Sequence, residues 1–131
     1  FDSRLRMRSG TLEGAARFEE NLPKTTRLRF FRQTYTARYT FPLSHDDDLL
    51  VGLEYRPVKY PERTVEFEDE DGDEYEEVRK DRRWKPQVRW SRQWTGKLLT
   101  DLEYEYEMRL SNDPEKRYRG HVITFGTVVE W

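Results

Sequence analysis

The sequence predicts an all-β chain, an antiparallel up-and-down sheet of six long strands that forms a β-barrel or part of a larger one. Three observations carry that expectation. Apolar and polar residues alternate with period two in five separate stretches. No apolar run approaches the ~20 residues of a membrane helix. The chain is 38% charged and only 34% hydrophobic, yet 15% aromatic. High charge with low apolarity usually means disorder; the aromatics argue instead that apolar residues are gathered on one face of each strand.

The first segment, RLRMRSGTLEGAARFEENL, alternates as Leu5 and Met7, then as Leu12, Gly14, Ala16 and Phe18, with a phase change at Ser9-Gly10. A β-bulge at that glycine produces such a change. A helix over 11–21 competes, since Ala15, Ala16 and the glutamates favour one; the strand is the preferred reading. In the second strand, 26–42, Phe31, Gln33, Tyr35, Ala37, Tyr39 and Phe41 share a face. In the third, 48–60, Leu49, Val51, Leu53 and Tyr55 do so. The fourth, 82–95, sets Trp84, Pro86, Val88, Trp90 and Trp94 against Arg83, Lys85, Gln87, Arg89 and Gln93. The fifth, 97–111, aligns Leu98, Leu102, Tyr104, Tyr106, Met108 and Leu110 against Asp101, Glu103, Glu105, Glu107 and Arg109. The sixth, 117–131, gathers Ile123, Phe125, Thr127, Val129 and Trp131. Gln33 and Arg92 interrupt the apolar faces; Gln33 suggests a register error, and Arg92 lies close enough to Trp94 to snorkel.

Turn chemistry supplies a register. A three-residue loop Trp94-Thr95-Gly96, with the glycine left-handed, pairs Gln93 with Lys97. It then sets Arg89 against Asp101, Gln87 against Glu103, Lys85 against Glu105 and Arg83 against Glu107. Every cation meets an acid, which is worth roughly 0.2–1 kcal/mol per partly exposed pair.

The strands are long. A typical soluble strand has ~5–6 residues, whereas a tilted membrane-spanning strand needs ~9–11. The chain closes on TFGTVVEW, with a polar residue at Thr124, glycine at 126, a hydrophobic at Val129 and a terminal aromatic at Trp131. This pattern resembles the C-terminal signal of bacterial outer-membrane β-barrel proteins. The resemblance implies that the segment is the closing strand, that the barrel-assembly machinery recognises it, and that outer-membrane lipid surrounds the barrel. The C-terminus would then face the periplasm.

Loop lengths agree with that sidedness. Such barrels have short periplasmic turns and longer outside loops, and the long connection 61–81 falls outside. It holds eleven acids and three bases, net −8 against −2 for the chain, and is expected to be an acidic extracellular loop. Trp84 and Trp94, near opposite ends of their strand, together with Tyr104 and Tyr106, fit aromatic girdles at the two interfaces. The whole of 1–131 reads as one domain or the C-terminal segment of one. Six strands fall short of the eight at which membrane barrels begin. Further upstream strands or other subunits are expected to complete the wall. The chain starts without Met or a charged-then-apolar leader, which suggests cleavage or a longer parent chain.

In this reading Arg38, Arg56, Arg83, Lys85, Arg89, Asp101, Glu103, Glu105 and Glu107 line the lumen. With Arg29, the cations would bias a solute path toward anions. The complementary pairing equally suits a purely structural ladder. No cofactor or metal is expected. With no cysteine, thiolate sites are excluded. An EF-hand frame counted from Gly72 puts Phe67 in the first ligand position. His45 and His121 share no motif with a nucleophile, so no enzyme is expected. Acids 103–107 would neutralise a nucleic-acid-binding surface. The expected function is a porin-like channel or the membrane anchor of a transport or export system. The alternative is a soluble lipocalin-like barrel that binds an apolar ligand.

Overall fold

The computed structural model describes residues 2–7, 9–22, 29–68 and 74–129. They form one seven-stranded sheet in strict chain order, each strand antiparallel to the next. The strands are β1 (Asp2–Met7), β2 (Gly10–Asn21), β3 (Phe30–Pro42), β4 (Asp47–Glu68), β5 (Glu74–Thr95), β6 (Leu98–Ser111) and β7 (Tyr118–Val129). A single 3-10 turn, Pro114–Lys116, joins β6 to β7, and the Asp113 side chain accepts from the Glu115 N–H at 3.1 Å. The sheet is open, with β1 and β7 at its edges.

The strand reading of 11–21 holds, but the six-strand expectation becomes seven. The phase change at Ser9-Gly10 is a hairpin turn, not a bulge: β1 and β2 pair from Met7↔Gly10 to Asp2↔Ala15. Both devices break period two, so alternation alone does not tell them apart. Gly10 takes φ 155° there, and a Cβ on it would lie 2.3 Å from the Thr40 carbonyl oxygen. The turn therefore requires glycine.

In the acidic stretch 61–81 the described residues, 61–68 and 74–81, are strand and not loop. β4 and β5, 22 residues each, run on through 61–68 and 74–81 as a tall hairpin. Val65-Glu66-Phe67-Glu68 does alternate, but the charge density masks the pattern. Near the hairpin's end Phe67 stacks on Tyr75 with centroids 5.5 Å apart. Glu66 directly opposes Glu76 and Glu68 opposes Glu74. Prolines mark the ladder's breaks. Pairing shifts register between Tyr60 and Thr64, beside Pro61, and no rung forms at Pro86 on the β6 side. Without an N–H, proline cannot complete a rung.

The β5–β6 register differs from expectation by two residues. Gln93 pairs with Leu99, not Lys97, because Trp94 is left unpaired as a bulge before a Gly96-Lys97 turn. Gly96 is not left-handed; among the described residues Gly10 is the one glycine with positive φ.

Opposed residues share a face, so one row can be followed across all seven strands: Leu5–Leu12–Tyr39–Val51–Val88–Tyr104–Ile123. Another reads Phe41–Leu49–Trp90–Leu102–Phe125. The opposite face carries Arg4–Glu13–Arg38–Gly52–Gln87–Glu105 and Arg56–Arg83–Arg109. Burial is inverted relative to a soluble domain. The five buried residues among those described, Gly52, Val58, Arg79, Asp81 and Ser111, all lie on the charged face. On the apolar face Ile123 and Phe125 are 72% and 71% exposed.

Candidate functional site, the charged face of the sheet

Alternation puts all nine predicted lumen residues, Arg38 through Glu107, on this one face. Three ion pairs stitch β5 to β6. Arg83 pairs with Glu107, its Nη2 donating to Oε2 at 2.8 Å while its Nε lies 2.7 Å from Oε1 without a hydrogen bond. Lys85 pairs with Glu105, and Arg89 with Glu103. The first two pairs match the sequence expectation yet run diagonally, because Arg83 opposes Arg109 and Gln87 opposes Glu105. The third corrects it. Arg89 opposes Glu103 directly, while Asp101 opposes Ser91 and Gly126. Long side chains span the diagonal, so ion pairing tolerates the two-residue slip that the Trp94 bulge causes. Further pairs, Arg56–Glu54 at 3.0 Å and Arg4–Glu13 at 3.1 Å, extend the ladder across the sheet.

The most buried charges were not foreseen. Asp81, 4% exposed, accepts from Arg79 Nε at 3.0 Å and from Arg79 Nη2 at 2.7 Å. Its Oδ1 also accepts from Ser111 Oγ at 2.6 Å. The Arg79 guanidinium lies 4.6 Å from the centre of the Tyr60 ring. Asn112 completes the clamp, accepting from the Lys80 N–H at 2.9 Å and donating to the Val78 carbonyl at 3.1 Å. The clamp ties the base of the tall hairpin to the end of β6. No spacing in the sequence announces it, since Ser111 lies 30 residues from Asp81.

On the apolar face, Trp84 packs against Tyr55 with ring centroids 4.3 Å apart. It does not stand at a strand end, because β5 continues ten residues beyond it to Glu74. It is level with Met108, near the Ser111 end of the shorter β6. Trp94, at the other end, donates to Thr100 Oγ1 at 2.8 Å. Tyr104 and His121 Nδ1 share a hydrogen bond of 2.7 Å, and the Tyr106 ring lies 4.9 Å from that of His121. Gln33 marks no register error: it opposes Phe18 on the apolar face, and its amide oxygen accepts from the Tyr35 hydroxyl at 3.0 Å. Arg92 lies 4.5 Å from the centre of the Trp94 ring and 3.7 Å from Asp47.

Within the C-terminal pattern, Thr124 opposes Glu103, Gly126 opposes Asp101 and Val129 opposes Leu98. A Cβ on Gly126 would lie 2.7 Å from the Asp101 carboxylate, so the glycine makes room for the neighbouring strand's acid. Trp131 lies outside the described residues. Among those described, no group of three or more His, Asp or Glu side chains is placed to hold a metal ion. No family model matches the chain, and no curated protein or solved structure is significantly similar to it.

Proposed function

We propose that this chain forms the wall of a bacterial outer-membrane β-barrel, with its apolar face against lipid and its charged face lining a water-filled lumen. It acts as a porin-like channel or as the membrane anchor of a transport or export system. The observation that carries this reading is the inverted burial: the few buried residues, Arg79 and Asp81 among them, lie on the charged face, while the aromatic and aliphatic rows stand open. In water that arrangement exposes a large contiguous apolar surface, which marks an interaction site. Hydrocarbon removes the penalty, and paired charges satisfy an aqueous interior.

Dimensions support the same assignment. The 14 residues of β6 extend about 44 Å at ~3.4 Å per residue. Tilted by roughly 40°, they rise about 34 Å, enough to cross a hydrocarbon core of ~30 Å. The tall β4–β5 hairpin continues past this height on the side away from the C-terminus. Under this proposal it projects outside the cell. Closure requires strands beyond β1 and β7, from further sequence or from other subunits.

The test is whether lipid touches the apolar rows. The full chain, refolded into bilayers containing brominated lipid, should show quenched tryptophan fluorescence and heat-modifiable gel migration. A folded, water-soluble monomer whose tryptophans escape the quencher would overturn the proposal in favour of a soluble barrel. Planar-bilayer conductance separates channel from anchor. A channel should change ion selectivity in Arg83→Glu and Arg89→Glu, and a silent bilayer would leave the anchor.

A further inference from the structure

We propose that the arginine row of β4, β5 and β6 is a binding site for one phosphate-type oxoanion. Arg56, Arg83 and Arg109 oppose one another directly on three adjacent strands. Like charges placed so are destabilising, and directly opposed Cα atoms are only ~4.5–5.5 Å apart. Nearby carboxylates answer part of this charge. Glu54 holds Arg56 and Glu107 holds Arg83. Among the described residues Arg109 has no carboxylate partner; its guanidinium rests 5.6 Å from the Tyr118 ring. Asp81 is taken up by Arg79 and Ser111.

Two further observations point to a ligand. A cavity of about 120 Å³ opens here, lined by Arg32, Arg56, Arg83, Arg109, Tyr60 and Asp81, with Val58 completing the wall. Around it the Nε donors of Arg32, Arg56 and Arg83 are buried without a hydrogen-bond partner, as is Glu54 Oε1; three unanswered donors on charged groups are a costly condition. A guanidinium fork matches the oxygen spacing of phosphate. The cavity takes several waters and so admits one phosphate group. Since the cavity lies on the charged face, the source is a free anion and not a lipid headgroup.

The inference rests on the lumen reading for its biological direction, but anion binding is measurable whichever solvent meets the apolar face. The full chain, refolded in zwitterionic detergent, is titrated calorimetrically with inorganic phosphate at constant ionic strength in chloride. One saturable site is expected. Arg109→Gln, which breaks no ion pair, should weaken it roughly tenfold or more. Arg56→Lys, which keeps the charge beside Glu54 but loses the fork, should also weaken it. Arg82→Gln removes a cation from the opposite face and should leave binding unchanged. Absence of saturable binding, indifference to Arg109→Gln, or equal weakening by Arg82→Gln would overturn the site. Displacement of phosphate by phosphatidylglycerol-doped micelles would overturn the assignment to a free anion. Failure of the barrel reading would appear separately, as a wild-type chain that lacks heat-modifiable migration and needs no detergent.

Discussion

Replacing Asp81 with alanine removes the acceptor at the centre of the clamp and leaves the Arg79 cation, 7% exposed, without its counter-charge. Two Arg79 hydrogen bonds and the Ser111 bond are lost together. Breaking a buried ion pair from one side typically costs ~3–5 kcal/mol, because the orphaned charge stays desolvated. The face of Tyr60, 4.6 Å from the guanidinium, offsets about 1 kcal/mol of that. The net expectation is a loss of about 2–4 kcal/mol. Urea unfolding in detergent, followed by tryptophan fluorescence, reads it directly, since Trp84 lies three residues along β5. The double variant Arg79→Leu/Asp81→Leu should recover most of the loss, as apolar replacement of a buried pair is often neutral. A double-mutant coupling below about 0.5 kcal/mol would refute the reasoning, showing that the two side chains act independently. Hydrogen exchange should locate the damage in 74–81, where the hairpin base is released.

Three further outcomes follow from the faces and the tight contacts. Ile123→Arg and Thr124→Arg add the same charge at adjacent residues on opposite faces; the first should cost ~2–4 kcal/mol in a bilayer and the second nearly nothing. Equal effects in vesicle unfolding would contradict the lipid-facing assignment. Gly10→Ala should destabilise by roughly 1–3 kcal/mol, from the strained φ and the clash with the Thr40 carbonyl; thermal melts of the folded protein measure it, and an unchanged melting point would show the turn can relax. Gly126→Val should cost roughly 1–3 kcal/mol through overpacking against Asp101. Asp101→Ala in the same chain should restore it, and no rescue would mean the glycine serves something other than this contact.

Much of the sheet was legible because its two faces differ so sharply in chemistry. β3, the first part of β4, the second part of β5, β6 and β7 each alternate in sequence, and in β3 burial repeats the alternation from Phe30 to Ala37. What escaped was whatever breaks or hides that period. A turn and a bulge both shift phase by one, so β1 merged with β2 at Ser9-Gly10. In 61–81 acids occupy both faces, so Val65 and Phe67 carried too little contrast to reveal a strand. The register slip came from Trp94, whose bulge depends on a local geometry that no residue type dictates. Ion pairing could not correct it, since Arg83 and Lys85 reach Glu107 and Glu105 on the diagonal. The clamp was unreadable for another reason: Arg79, Asp81 and Ser111 meet only once the hairpin and β6 have paired.

The odd length of the meander has a geometric consequence. In a sheet that reverses at every step, the first and seventh strands point the same way. Two such sheets joined rim to rim around a common axis would meet along a parallel seam, an exception in a wall where every other neighbour is reversed. Any insertion that keeps alternation unbroken around the ring must supply an odd number of strands, one at the least. If the proposed barrel forms, a subunit count alone therefore does not decide how it closes. The direction of the strand lying beside Leu5, measured by cross-linking, does.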